Sequence, residues 1–201
     1  TLASDSIQGI LKDIQNGAFL TAENPGKVQN INIQNAYFDR IASDIHFEKK
    51  MKIALDCGNG VAGAFAPALL EKLGAEITPL FCEVDGNFPH HHPDPSKLEN
   101  LKDLQEHLKN SDCELGLAFD GDGDRLGVVL KNGNVIFPDR QLMLFAADIL
   151  KREKGATILF DVKCTRLLNH WIMAHGGKPL MWKTGHAFIK QKLKETGAAL
   201  A

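Results

Sequence analysis

Apolar and polar positions along this chain repeat with two different periods, which alternate several times. A short apolar run at residues 51–55 is followed by a turn at residues 56–60 and then by apolar residues at helical spacing up to Leu73. A switch from a short apolar run to a period of 3.6 predicts a strand followed by a helix. Gly74 marks the end of that helix, and residues 76–81 form the next predicted strand.

Capping and turn signals organise the middle of the chain. Ser96 and Glu99 fit a capping box at the start of a helix whose leucines continue to Leu108. Asn-Gly between apolar runs is typical of a hairpin turn. This region is therefore predicted to hold two strands and a hairpin turn, at residues 115–119, 126–130 and 132–133.

A second series of strands and helices completes the chain. The predicted strands are residues 156–160, 179–182 and the beginning of one at 198–201. The predicted helices are residues 139–150, residues from 167 to the stop at 176–177, and residues from 188 to the stop at 197. Residues 6–19 and 34–47 also have helical spacing, and the first of these segments resembles the tail of an upstream domain. The alternation indicates an α/β fold with mixed, mostly parallel sheets flanked by helices.

The most distinctive segment joins two of the predicted strands. It is Asp120-Gly-Asp-Gly-Asp-Arg125, in which three carboxylates alternate with two glycines before an arginine. Because glycine permits positive φ, the carboxylates can converge instead of alternating across a sheet. Carboxylates this close repel one another without a cation, and hard oxygen ligands suit Mg²⁺. We therefore predict that Asp120, Asp122 and Asp124 bind Mg²⁺, while the planar guanidinium of Arg125 suits a phosphate.

The acidic segment at residues 120–125 has other possible interpretations. The simplest is an acidic turn that is exposed to solvent and binds no metal. An EF-hand begins with the same spacing but needs Gly after the third acid and Glu at its twelfth position, where this chain has Arg125 and Lys131, so a calcium hand is excluded. A strand that ends in Asp-x-Asp can also present a phosphoaspartyl nucleophile, and that role stays open for Asp120 or Asp122.

Charge and cysteine content narrow the class of protein. The net charge of −2 argues against an electrostatic surface for nucleic acid or membranes. No apolar run approaches the roughly 20 residues that span a bilayer, and no secretory segment opens the chain. The four cysteines are widely spaced, which favours reduced thiols in a cytoplasmic protein. A nucleophilic Cys164 would lack an identified base.

Polar turns follow three of the predicted strands, at residues 120–125, 161–165 and 183–186. In open α/β sheets ligands bind beyond the carboxyl ends of strands, so these turns are the candidates for an active site. Lys163 is in the second turn and His186 in the third. Lys163 is either a surface lysine or a functional group, and His186 either caps a helix or serves the site.

Two further polar segments could bind a ligand or could have a purely structural role. His90, His91 and His92 lie among prolines, and this stiff loop without a nearby cysteine favours polar residues near a site over a dedicated zinc centre. The Gly-Asn-Gly turn at residues 58–60 lacks the Lys and Ser/Thr of a P-loop. A structural turn, with Asn59 as the cap of the next helix, is therefore the favoured interpretation.

Four motifs in order resemble those of the phosphomannomutase/phosphoglucomutase branch of the α-D-phosphohexomutases. They are Asp56-Cys-Gly-Asn-Gly60, Asp120-Gly-Asp-Gly-Asp-Arg125, Asp161-Val-Lys-Cys-Thr165 and Lys183-Thr-Gly-His186. The resemblance covers nearly the whole chain. It implies a four-domain enzyme that interconverts the 1- and 6-phosphates of mannose or glucose through a phosphoserine and a hexose 1,6-bisphosphate intermediate.

The resemblance also implies a role for each candidate residue. Arg125 would contact the reacting sugar phosphate. Lys163 and His186 would line the sugar site, with Lys163 the better candidate for assisting proton transfer. The implied Mg²⁺ ligands are Asp120, Asp122 and Asp124.

Some features that the resemblance implies have no counterpart in this sequence. These are the Thr-x-Ser-His-Asn-Pro-type nucleophile loop of domain one, the Gly-Glu-x-Ser-Gly-His-type loop of domain three, and domain four. We therefore expect an internal fragment, with domains one and four missing. Residues 1–32 would be the tail of domain one, residues 33–135 the metal-binding domain two, and residues 136–201 an incomplete sugar-binding domain three. The isolated fragment should have no mutase turnover.

Two other functions compete with the mutase fragment. One is a Mg²⁺-dependent phosphatase that uses Asp120 or Asp122 as the nucleophile and Lys163 as its partner. The other is a metal- or phosphosugar-binding module without catalysis. Tight binding of Mg²⁺ or sugar phosphate by these residues alone would favour the module, since the mutase hypothesis expects weak binding of both.

Overall fold

The structure, a computed structural model, describes residues 5–201, and the chain divides into two compact units. The central unit is Asn32–Gln141. The second unit is Leu142–Ala201 together with the described part of the segment that ends at Ile31. The first four residues of the tail expected over residues 1–32 lie outside the described residues.

The central unit is built on a five-stranded mixed sheet with the order β2-β1-β3-β4-β5. Its middle strand β1 pairs in parallel with β2 and β3, while β4 runs antiparallel to both β3 and β5. The strands are β1 (Lys52–Asp56), β2 (Glu76–Leu80), β3 (Leu115–Phe119), β4 (Leu126–Leu130) and β5 (Val135–Ile136). The two-residue β5 has too short an apolar run to be recognised in the sequence.

Helix α4 covers β1 and β3 and forms the core of the central unit with them. Leu104 and Leu108 of this helix are fully buried. Gly116 of β3 lies under them, and a Cβ there would stand 2.7 Å from the Leu108 Cδ1 atom, so the absent side chain allows the helix to pack closely. The helices of this unit are α2 (Gln34–Ala42), α3 (Ala66–Lys72) and α4 (Lys102–Asn110), with 3₁₀ turns at Val61–Ala64 and Leu98–Leu101.

The second unit contains the parallel pair β6 (Thr157–Asp161) and β7 (Lys178–Trp182). Leu200 forms a further parallel bridge with Ile158, which is the beginning of the strand predicted over residues 198–201. A core of buried residues such as Leu150 and Leu168 packs around β6. The helices are α1 (Asp5–Gln15), α5 (Pro138–Arg152), α6 (Leu167–Ala174) and α7 (His186–Thr196). The boundary between the two units falls within α5, after Gln141. The predicted class, α/β with mixed, mostly parallel sheets, is confirmed.

Four local predictions are wrong. Asn59 does not cap a helix, because it has a left-handed φ of 60° and its side-chain oxygen lies 2.8 Å from His90 Nδ1. The capping box does not form, because the Ser96 hydroxyl donates to Asp94 instead. The helices expected over residues 6–19 and 34–47 both end earlier, at Gln15 and Ala42.

Among the described residues 5–201, the helices are all too short or too polar to cross a membrane.

Candidate functional site

The acidic loop, residues 120–125, is the tight connection between the antiparallel strands β3 and β4. The Asp120 N–H donates to the Arg125 carbonyl oxygen (3.2 Å), and the Gly123 N–H, at a φ of 74°, donates back to the Asp120 carbonyl oxygen (3.1 Å). This curl brings one carboxylate oxygen from each of Asp120, Asp122 and Asp124 within 4.8 Å of one another. Asp120 is buried and the other two aspartates are exposed, so the cluster opens to solvent on one side.

Asp120 and Arg125 fix each other within this loop. The Arg125 N–H donates to Asp120 Oδ1 (2.9 Å), and the Arg125 Nε donates to Asp120 Oδ2 (2.6 Å). Burial favours the neutral form of Asp120, but the bonds and positive charge of Arg125 outweigh it and lower the pKa of the Asp120 carboxyl. The hydrogen bond to Asp120 in turn raises the pKa of Arg125. The loop therefore presents a buried carboxylate anion beside a permanent cation.

Asp94, which was not predicted from the sequence, is a second anchor of Arg125. Arg125 Nη1 donates to Asp94 Oδ1 at 2.9 Å. The same oxygen accepts from the Ser96 hydroxyl (2.7 Å) and the Ser96 N–H (3.1 Å). The Ser96 hydroxyl bond is the main cause of the lowered pKa of Asp94. The Pro-Asp-Pro sequence after the histidines was the available signal, since a turn there exposes an aspartate with a fixed backbone.

Two segments brace the acidic loop through its backbone. The Val61 N–H, at the end of the turn at residues 56–60, donates to the Gly121 carbonyl oxygen (3.1 Å). The Gly121 N–H donates to the Pro93 carbonyl oxygen (3.2 Å). Gly60 lies so close to this loop that a Cβ on it would stand 2.9 Å from the Gly121 carbonyl oxygen. The Gly-Asn-Gly turn therefore acts as a backbone support for the acidic loop.

The histidine-rich loop is held against the same turn. His91 Nε2 lies 3.0 Å from Oδ2 of Asp56, a carboxylate that is 1% exposed. This contact with Asp56 is the main cause of the raised pKa of His91. His90 Nδ1 lies 2.8 Å from the Asn59 Oδ1 atom, and its ring stacks on Phe81. Within residues 5–201 the side chains grouped closely enough for a metal ion are the three aspartates of the acidic loop, so the histidines serve as braces.

The other two polar turns meet at Asp161 in the second unit. The Lys163 N–H donates to Asp161 Oδ1 (2.8 Å), and Lys163 Nζ lies 3.7 Å from Asp161 Oδ2. The Thr184 hydroxyl, from the turn after β7, donates to the same Oδ2 atom (3.1 Å). His186 is exposed and is the first residue of α7, after Gly185 at a φ of 128°. Asp161 thus joins the turns that carry Lys163 and His186.

The structure divides the candidate residues between the two units. Four of them form one cluster in the central unit, and Lys163 and His186 belong to the second unit. The cluster, with three carboxylates and a guanidinium held at two points, has the chemistry to bind a divalent cation and a phosphate side by side. Its members are Asp120, Asp122, Asp124 and Arg125.

Comparison with known proteins identifies consecutive domains of one family. The model for phosphoglucomutase/phosphomannomutase alpha/beta/alpha domain II matches residues 35–133, and the model for alpha/beta/alpha domain III matches residues 137–201. Over all 201 residues the chain is 57% identical to a phosphoglucomutase of Neisseria gonorrhoeae and covers 44% of that protein. It is 54% identical to a phosphomannomutase/phosphoglucomutase of Pseudomonas putida and covers 43% of it.

The solved structures agree with these matches. A phosphoglucomutase/phosphomannomutase family protein from Burkholderia thailandensis superimposes with a TM-score of 0.94 at 52% identity, over 98% of this chain and 43% of that protein. A protein from Thermus thermophilus described as a phosphomannomutase shares the fold, with a TM-score of 0.74 over 85% of this chain and 41% of that protein, at 22% identity. The chain spans less than half the length of these relatives. On its sequence, its fold and the order of its two domain matches, the chain belongs to the phosphoglucomutase/phosphomannomutase family.

Proposed function

We propose that this chain supplies the metal site and part of the sugar site of a phosphohexomutase, which interconverts hexose 1- and 6-phosphates of mannose or glucose through a phosphoserine and a 1,6-bisphosphate. The observation that carries the proposal is the convergence of three carboxylates beside a doubly anchored Arg125. The names of the relatives, phosphoglucomutase and phosphomannomutase, support the same activity.

The donor set fits Mg²⁺. Asp122 and Asp124 offer exposed carboxylates, and the buried carboxylate of Asp120 keeps lone pairs beyond those that accept from Arg125. Hard oxygen ligands in an open cluster suit a cation that retains water or phosphate oxygens. When bound there, Mg²⁺ would stabilise negative charge on the transferring phosphoryl group. Arg125 would bind the phosphate oxygens beside it and hold the group in line.

Lys163 and His186 are proposed to line the sugar site. Both are exposed, and the turns that carry them are joined through Asp161. An amine held near a carboxylate can exchange a proton with a sugar hydroxyl, and we assign that role to Lys163. His186, at the start of α7, is placed to bind the sugar or its phosphate.

We also propose an assignment of this chain to domains of the family. Residues 33–135 are assigned to the metal-binding domain, residues 136–201 to part of the sugar-binding domain and residues 1–32 to the tail of the preceding domain. The family matches at residues 35–133 and 137–201 support the first two assignments. A cytoplasmic location is proposed because the four cysteines are widely spaced in the sequence, which favours reduced thiols.

A chimera tests the activity. The 201 residues would replace the matching segment of the Neisseria gonorrhoeae phosphoglucomutase, to which they are 57% identical. We expect the chimera to convert glucose 1-phosphate to glucose 6-phosphate, and an Asp122→Asn chimera to lose about 10²–10³-fold in kcat, as expected when a preorganised electrostatic contact is removed. Asp44→Asn, which changes an exposed aspartate of the same unit, is the matched control. A folded chimera without activity, or an active Asp122→Asn chimera, would contradict the proposal.

The isolated 201 residues separate the proposal from its alternatives. We expect no mutase turnover, because no serine of the chain has the sequence context of the nucleophile loop, and we expect weak Mg²⁺ binding in calorimetry. Beryllium fluoride, which mimics an aspartyl phosphate, should not form a stable adduct with Asp120 or Asp122, since the mutase proposal makes these carboxylates metal ligands and places the nucleophile on a serine outside these residues. A stable adduct would favour a phosphatase, and tight Mg²⁺ or sugar-phosphate binding would favour a binding module.

A further inference from the structure

Two cysteines meet where the neighbouring strands β1 and β2 end. Cys57 directly follows β1, and Cys82 comes two residues after the end of β2. The two strands are parallel, with Asp56 opposite Leu80, and the Cys57 N–H donates to the Leu80 carbonyl oxygen at 3.1 Å. This register places the Sγ atoms of Cys57 and Cys82 only 3.3 Å apart. The two thiols are therefore in direct contact although 24 residues separate them in sequence.

The two thiols have different surroundings. Cys57 is completely buried, whereas Cys82 is only partly buried. The hydrogen bond between the thiols lowers the pKa of Cys82, because the Cys57 thiol donates to the Cys82 thiolate, and the same bond with burial raises the pKa of Cys57. The more accessible sulfur is thus also the one that ionises first, and thiolates are the reactive form of cysteine.

We propose that Cys57 and Cys82 are an oxidation site, which a low-molecular-weight disulfide such as glutathione disulfide converts into an intramolecular disulfide. In the first step the Cys82 thiolate attacks one sulfur of glutathione disulfide, a mixed disulfide forms, and one glutathione thiolate leaves. In the second step Cys57 loses its proton to that thiolate and attacks the Cys82 sulfur, and the second glutathione leaves as a thiolate, which takes from the solvent the proton that Cys82 released when it ionised. Two protein thiols are oxidised, and one disulfide is reduced to two glutathione thiols.

The backbone can accommodate the new bond. A disulfide brings the sulfurs to about 2.05 Å, so the two Sγ atoms must approach each other by little more than 1 Å from their present contact. The reaction does not depend on the proposed mutase function, because it requires only the geometry of the two thiols.

Mass spectrometry of the native 201-residue chain tests the proposal. After incubation with glutathione disulfide without denaturant, the protein should lose two hydrogen atoms, and digestion should yield peptides cross-linked between Cys57 and Cys82. Dithiothreitol should reverse the change. No cross-link, a cross-link formed only in denaturant, or equal cross-linking to Cys113 or Cys164 would overturn the proposal.

Single variants test the order of the two steps. Cys57→Ser should stop at the mixed disulfide, so Cys82 gains one glutathione, whereas Cys82→Ser should leave the buried Cys57 unmodified. Cys164→Ser, which changes another partly buried cysteine, should cross-link like the wild type. Equal glutathionylation of Cys57 in Cys82→Ser would overturn the proposed order. Protection of Cys113, which is 1% exposed, from N-ethylmaleimide verifies that each variant is folded.

Discussion

The contact between Gly60 and the acidic loop gives a quantitative prediction. Gly60 has a φ of −76°, which any residue adopts, so alanine there causes no backbone strain. The atoms that a Cβ would meet are backbone atoms, the carbonyl oxygens of Gly121 at 2.9 Å and Asp120 at 3.0 Å. Ordinary contacts begin at 3.4 Å, so the added carbon is about half an ångström too close to atoms that cannot rotate away.

Gly60→Ala should therefore displace the acidic loop relative to its support. Overpacking of this kind costs about 1–3 kcal/mol, and we expect the free energy of unfolding to fall by that amount. The displacement should also weaken Mg²⁺ binding, because Val61 holds the Gly121 carbonyl oxygen from the same turn. Urea unfolding measures the first effect, and calorimetric titration of Mg²⁺ measures the second.

Gly86→Ala is the matched control, since a Cβ on Gly86 would meet no atom within 4 Å. It should leave Mg²⁺ binding unchanged and stabilise the chain by up to about 1 kcal/mol, because alanine reduces the entropy of the unfolded state. A Gly60→Ala variant that binds Mg²⁺ like the wild type, and whose free energy of unfolding lies within about 0.5 kcal/mol of the wild-type value, would contradict the displacement of the acidic loop.

Two further predictions concern stability. The contact with Asp56 raises the pKa of His91, so protonated His91 stabilises the folded state. This contribution to the free energy of unfolding is complete below the unfolded-state pKa of about 6.5, and it is lost as pH rises through the folded-state pKa. His91→Gln should therefore reduce the free energy of urea unfolding by about 1–3 kcal/mol at acidic pH and by less at alkaline pH. Leu104→Ala, in the core of the central unit, should reduce it by about 2–5 kcal/mol.

Matched variants control both measurements. His170→Gln changes an exposed histidine and should cost far less than His91→Gln at acidic pH. Leu98→Ala changes a leucine that is 53% exposed and should cost far less than Leu104→Ala. A penalty for His91→Gln that does not vary with pH would contradict the ion pair with Asp56, and equal penalties for the two leucine variants would contradict the packing of α4.

The sequence was sufficient to predict most of the elements and the acidic loop. Apolar periodicity depends on residues that are close in the chain, so strands such as β1 and β6 were predicted within one residue of their observed bounds. The glycine spacing of residues 120–125 likewise acts locally, and it predicts converging carboxylates without knowledge of the neighbouring strands. Local signals failed where a distant partner competed for the capping group, as the His90 Nδ1 atom does for the side-chain oxygen of Asn59.

Only the tertiary structure decided what supports the loop and which side chains meet. Asp94 lies 31 residues before Arg125, and Cys57 and Cys82 are brought together by the pairing of β1 with β2. Contacts of this kind depend on strand order and register, which are set by the packing of whole elements and leave no periodic trace in the sequence. The sequence by itself therefore determined the candidate metal ligands, and the fold determined the ion pair, the backbone braces and the thiol pair around them.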